Sequence, residues 1–274
     1  MKFVTKFLFS LSLIVAMESC STTKNAEPKV RIETTAGNIT VKLYNQTPLH
    51  RDNFLKLVKS GFYNEVLFHR VIADFMIQGG DPDSKKANPT DSLGNGDVGY
   101  TIPAEFKTPS LYHKKGALGA ARMGDSENPT KASSGCQFYI VKGKTFTDAK
   151  LDEMQQKKLK QQETTLFQEI LKTKNDEVKK YRLERNQEKI DALRDSVMKE
   201  VQSKMATDST YRFSEKQRAD YKTIGGTPHL DGNYTVFGEV TEGLEVVDKI
   251  SKTRTGKLDR PKDDIRVIKM KVIR

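Results

Sequence analysis

From Val30 the chain alternates apolar and polar residues through VRIETTAGNITVKLY. A period of two interrupted at Gly37-Asn38 predicts a β-hairpin with one buried face. Thr47-Pro48 then opens LHRDNFLKLVKSGF, where Phe54, Leu55 and Val58 recur at helical spacing and Gly61 ends the helix. Shorter apolar runs, VLFHRVI, FMIQGG, CQFYIVKG and TVFGEV, predict further strands. An amphipathic LEVVDKI and a closing strand, IRVIKMKVI, end the pattern, while residues 81–116, rich in Gly, Pro, Asp and Asn, predict long loops.

Between residues 148 and 222 the pattern changes. This stretch contains neither Gly nor Pro, and Ile190, Leu193, Val197, Val201 and Met205 form a stripe at helical spacing. Leu166 and Ile170 begin a similar stripe before Asn175-Asp176, and Ser214 with Gln217 has the spacing of a capping box. The segment predicts an inserted helical arm, a hairpin of long helices between two stretches of strand-forming sequence.

Composition refines this picture. The 274 residues are 36% hydrophobic and 30% charged, wetter than an average soluble chain but still able to form a core. The net charge of +11 raises nucleic acid as a partner. No basic run is interleaved with stacking aromatics, so no nucleic-acid partner is expected. The arm carries 18 Lys and Arg against 15 Asp and Glu, so most of the excess charge lies elsewhere.

At the start, Lys2 and Lys6 precede an apolar run, Phe7 to Met17, too short to span a bilayer and suited to a secretory signal. Ser19-Cys20 at its end resembles a bacterial lipoprotein signal. That resemblance implies a signal peptide over residues 1–19, lipidation of Cys20 and a polar tether over residues 20–29; an ordinary cleaved signal is the alternative. The expected location is the cell envelope, lipid-anchored to a membrane and facing the periplasm or the exterior. Cys136 is then the one remaining thiol, no intramolecular disulfide is expected, and its setting in GCQFYIV reads as core.

Two motif matches fail on context. Gly94-Asn95-Gly96-Asp97-Val98-Gly99 matches a dinucleotide fingerprint but runs into Tyr100-Thr101-Ile102-Pro103, not into a helix. His50, His69, His113 and His229 lie far apart without Cys or acidic neighbours at ligand spacing, so no metal is expected. The informative stretch is FHRVIADFMIQGGDP, Phe68 to Pro82, which sets Arg70 among apolar residues. A guanidinium there is either a structural ion-pair member or a fixed electrophile beside an apolar pocket; the residues alone leave both open.

The same stretch resembles the signature of the cyclophilin family of peptidyl-prolyl isomerases. The resemblance continues through NFLKLVKSGFY, GYTIPAEF, KKGALGAARMGD, SSGCQFYIV and HLDGNYTVFGEV, in order, over residues 30–147 and 223–274. It implies a mainly β fold, a closed eight-stranded antiparallel β-barrel capped by helices, with residues 148–222 inserted. It implies isomerisation of X–Pro bonds in proline-containing unfolded or extended polypeptides, here exported proteins, without cofactor or metal.

By the same matching, Arg70 stabilises the twisted amide and Gln78 orients it. Phe75, Met76, Tyr139 and Leu230 line the proline pocket, with Ala121 and Gln137 in the groove for preceding residues. Tyr234 stands where the family often has His. Phe68 and Ile72 read as barrel core. His229 replaces a common Trp, and Arg122 replaces an Asn, adding a charge expected to favour acidic residues beside proline. A second reading makes the protein a folding chaperone or scaffold, with clients or a partner protein held on the arm's apolar stripe.

Overall fold

Two strands set the frame. In this computed structural model, which describes residues 26–273, β1 (Lys29–Thr34) pairs antiparallel with β2 (Gly37–Leu43), Ile32 opposite Ile39 and Val30 opposite Val41. All four are fully buried. The turn itself is Thr35-Ala36, two residues before the position expected from the sequence, because Gly37 already pairs with Thr34. Gly37 has φ 136°, and a Cβ there would press on Val246 at 2.8 Å, so a close approach fixes the glycine. The signal peptide and Cys20 lie outside the described residues.

Helix α1 (Pro48–Lys59) begins on a proline, and its first amides, Leu49 and His50, donate to the Glu105 carboxylate at 3.2 and 3.0 Å. A carboxylate there satisfies orphan donors and meets the positive end of the helix dipole. Its buried face carries Phe54, whose ring lies 5.1–5.6 Å from those of Tyr63, Phe138 and Phe237 in the core. Beyond it run β3 (Arg70–Ile72), β4 (Met76–Gly79), β5 (Thr101–Ile102), β6 (Ala117–Ala120), β7 (Ser133–Ser134) and β8 (Phe138–Val141).

The helices α2 (Asp148–Thr173), α3 (Asn175–Leu183), α4 (Gln187–Thr207) and α5 (Glu215–Thr223) follow, then β9 (Val236–Glu242), α6 (Leu244–Ser251) and β10 (Val267–Ile273). Helix α6 packs on the same core as α1 through Val246, Val247 and Ile250.

Eight strands form one antiparallel sheet in the order β10–β1–β2–β9–β6–β8–β4–β3, and β5 pairs only with β7. The expected closed barrel is therefore corrected to a curled half-barrel: its outer strands, β3 and β10, do not pair. Only a short seam spans the gap, with one bridge between Leu67 and Arg266 and single bonds such as Phe68 N–H to Ile265 O at 2.9 Å and Glu65 N–H to Val267 O at 2.8 Å. Nor is the fold mainly β, since the described residues are 39% helical and 21% strand, and the arm supplies most of the helix.

In the arm, α2 and α4 pack together through Ile170, Val197 and Val201, with Leu166, Phe167 and Met205 partly buried around them. The short α3 turns the chain between them, so the long hairpin is interrupted at its tip. Ser214 and Gln217 form the reciprocal capping box that opens α5. A second cluster, Tyr112, Leu151 and Tyr221 with Phe146 and Phe213, joins the root of the arm to the sheet.

Candidate active site

The short β3–β4 ladder pairs Arg70 with Gln78 and Ile72 with Met76. Residues two apart on a strand share a face, so this ladder presents Arg70, Gln78 and Met76 toward one cleft, with Phe75 at its turn. Ala121, Tyr139, Leu230 and Tyr234 complete the wall of a solvent-open cleft of about 140 Å³. Met76, Tyr139 and Leu230 are nearly fully buried and form its apolar floor. Tyr139 lies flat because Gly119 faces it across the β6–β8 ladder; a Cβ at Gly119 would strike the ring.

Arg70 is 42% exposed at its side chain, not buried. Its Nη1 donates to Gln78 Oε1 at 3.3 Å and its Nε faces Asp259 Oδ2 at 3.5 Å, leaving Nη2 without a partner among the described residues. The guanidinium thus joins one loose, solvent-screened ion pair and keeps free donors at the mouth of an apolar cleft. Gln78 Nε2 donates to Gln137 Oε1 at 3.0 Å, and Gln137 Nε2 donates to the carbonyls of Gly94 and Gly96, each at 2.9 Å. Gln137 is 7% exposed and stands behind the cleft. It braces Gln78 and is not among the residues that border the 140 Å³ cleft; Gly94–Gly99, the loop that matches the dinucleotide motif, holds it.

Arg122 also borders the cleft. Its Nε donates to Asn233 O at 2.8 Å, its Nη1 pairs with Asp125 at 2.7 Å, and its plane lies 4.3 Å from the centre of the Tyr234 ring. With the side chain only 3% exposed, this charge is largely spent before any substrate arrives. His229 stacks on Phe75 at 5.4 Å. Phe68 sits in the main core, as expected, whereas Ile72 packs beneath the cleft. Cys136 is buried core, and burial pushes its thiol up to about 11.

Two buried polar groups escaped the sequence reading. His113 Nδ1 faces Asp231 Oδ1 at 2.8 Å and His113 Nε2 faces the Tyr139 hydroxyl at 2.8 Å, so a hydrogen-bonded chain ends on the pocket wall. Both histidines with acidic partners find them far away in sequence, His113 at Asp231 and His50 at Glu105, where a search of local spacing sees nothing. Glu105, His50 and Ser133 have the connectivity of a nucleophilic triad, with contacts of 2.7 and 2.9 Å. Ser133 is 1% exposed, however, and the adjoining cavity of about 10 Å³ holds no more than about one water, so no substrate reaches it.

The sequence model of the family described as cyclophilin type peptidyl-prolyl cis-trans isomerase/CLD matches residues 29–180 and 152–272. A Streptococcus pyogenes serotype M6 protein named "Putative bifunctional phosphatase/peptidyl-prolyl cis-trans isomerase" is 30% identical over 87% of this chain, which spans only 37% of that protein. A Staphylococcus aureus (strain COL) "Putative peptidyl-prolyl cis-trans isomerase" is 29% identical over 88% of this chain and 90% of its own length. Among solved structures, a cyclophilin type peptidyl-prolyl cis-trans isomerase of Cryptosporidium parvum superposes with TM-score 0.51 at 20% identity, covering 90% of this chain and 98% of that one. At that identity the likeness speaks for the fold. A family-model match that runs through both halves of the sheet and covers most of the chain places this protein in the cyclophilin-type peptidyl-prolyl cis-trans isomerase family.

Proposed function

We propose that the Arg70 cleft isomerises X–Pro bonds by holding the proline ring on Met76, Phe75, Tyr139 and Leu230 while Arg70 stabilises the twisted amide. The amide C–N bond has partial double-bond character, with a rotation barrier of about 18–20 kcal/mol. Rotation breaks that conjugation and returns a lone pair to nitrogen. A donor near the nitrogen therefore binds more strongly in the twisted state than in the planar one, which is the condition for catalysis. No nucleophile or proton transfer is needed. The observation that carries this reading is an arginine braced by Gln78 at the edge of an apolar cleft, with donors still free.

The preferred substrates in this reading are unfolded or extended segments containing proline, since a cleft open to solvent admits a chain passing through. Exported proteins are the proposed clients and a Cys20 lipid the proposed anchor, both from the apolar run and Ser19-Cys20 at the start of the sequence. The alternative, clients gripped by the arm, needs a free apolar stripe. Val197 and Val201 are instead packed against Ile170 inside the arm, which removes its main support.

Exchange spectroscopy on an Ala-Pro peptide tests the proposal: a catalytic amount of the full chain is expected to merge cis and trans resonances that stay separate without it. Unchanged exchange would contradict it.

A further inference from the structure

Asp231 follows the pocket residue Leu230 and is 2% exposed. Its Oδ1 accepts from the His113 amide at 2.9 Å and faces His113 Nδ1. Its Oδ2 accepts from the Tyr221 hydroxyl at 2.5 Å and, at longer reach, from Gln217 Nε2 at 3.4 Å. Tyr221 and Gln217 belong to α5 and are both fully buried. With Nδ1 donating to Asp231, His113 Nε2 is left to accept from the Tyr139 hydroxyl. A continuous polar chain therefore runs from the arm to the pocket wall: Tyr221, Asp231, His113, Tyr139.

A second route starts on α2. Lys158 Nζ donates to Pro228 O at 3.0 Å and to Asp231 O at 2.7 Å. These carbonyls bracket the turn that carries Leu230 into the cleft and stacks His229 on Phe75. Burial lowers the Lys158 ammonium to about 8, although the charge of Asp231 opposes that shift. A solvated appendage has no reason to desolvate an ammonium, a phenol and an amide against the sheet, because buried polar groups are unfavourable unless satisfied. Here they are satisfied by the backbone and carboxylate that shape the pocket.

We infer that the helical insertion is part of the isomerase site, with Lys158 and Tyr221 as positioning residues that hold the Pro228–Leu230 turn and Tyr139 and so set the pocket's affinity for proline. This rests on the proposed reading of the cleft as the proline site. Neither side chain borders the cleft, and Arg70 is held independently by Gln78 and Asp259. Their loss therefore falls on binding and spares the step that Arg70 serves.

Steady-state turnover of an Ala-Pro peptide by the full chain, as wild type, Lys158→Met, Lys158→Arg and Tyr221→Phe, tests this. The expected result is KM raised about three- to ten-fold in Lys158→Met and Tyr221→Phe with kcat within about two-fold, and recovery toward wild type in Lys158→Arg. Folded variants with wild-type KM would overturn the positioning role. A wild type without turnover would instead strike the isomerase reading itself. If the variants melt, the wild type still decides: peptide titration is expected to shift the Lys158 side-chain NMR signal, and a signal that stays fixed at saturation would overturn the inference.

Discussion

Arg70 and Gln78 face each other across the β3–β4 ladder, Nη1 to Oε1 at 3.3 Å, and Gln78 is itself held by Gln137. The guanidinium is thereby tied to backbone register and not to a flexible loop. The line continues to the carbonyls of Gly94 and Gly96, so a surface loop, two glutamines and the arginine form one brace.

Breaking that brace at its middle should loosen Arg70 without removing it. Gln78→Ala is expected to lower kcat/KM about three- to ten-fold, the worth of one ordinary hydrogen bond. The loss should fall mainly on kcat, because the apolar floor is untouched. Steady-state kinetics on an Ala-Pro peptide checks this, and an unchanged kcat would mean that Gln78 does not orient Arg70.

On the opposite side of Arg70, Asp259 behaves differently. The pair is 3.5 Å apart and both side chains are over two-fifths exposed, a setting in which ion pairs are worth about 0–1 kcal/mol. Asp259→Asn is therefore expected to change kcat/KM by less than about five-fold, with the difference shrinking as salt rises. Leu258 and Asp259 both have positive φ, 55° and 59°, and Asn tolerates that region well, so the loop should be preserved. A larger loss in that comparison would assign Asp259 to the chemistry.

Tyr139→Phe keeps the ring on the pocket wall and deletes the hydroxyl that pairs with buried His113. Leaving that nitrogen bare costs about 1–3 kcal/mol. Thermal melts should show a fall of about 2–10 °C, while kcat stays near wild type. A variant that melts like the wild type would remove the Tyr139 hydroxyl from the network.

His69 is 3% exposed and its ring makes no well-formed hydrogen bond, only a weak contact with the Leu67 backbone. Burial first, then the charges of Arg70 and Arg260, lower its pKa to about 4, while Asp81 opposes. With the folded pKa below the unfolded one, the unfolded chain takes up the proton first. Stability from this group is thus complete above about pH 6.5 and is lost as pH falls toward 4, by up to about 3 kcal/mol. Denaturant melts at both ends of that range should show a smaller acid loss in His69→Phe than in the wild type; equal losses would contradict the account.

How far the sequence carries is clearest at particular residues. Alternation and helical spacing mark the hairpin, α1 and α6 because each buries one face at a fixed period. The hairpin turn is displaced by two residues because the decisive contact, Gly37 against Val246, comes from the far end of the chain. Closure of the sheet is invisible for a similar reason: it turns on whether β3 and β10 meet, and they do not pair, the one bridge nearby, Leu67 to Arg266, lying outside both strands. Gln137 reads as a groove residue, and nothing local shows that its amide is bound to the Gly94 and Gly96 carbonyls. Tyr221 and Lys158 look like ordinary helix residues, since nothing local marks a docking face whose partner is Asp231. The predicted influence of Arg122 on acidic neighbours of proline is weakened likewise, by Asp125 and Asn233.

The most direct test of the central claim is a protease-coupled proline isomerisation assay on wild type and Arg70→Ala, folded alike by circular dichroism. A charged hydrogen bond worth about 1.5–3 kcal/mol in the twisted state predicts a ten- to hundred-fold lower kcat/KM in Arg70→Ala, carried by kcat. Full activity without the arginine would contradict the account.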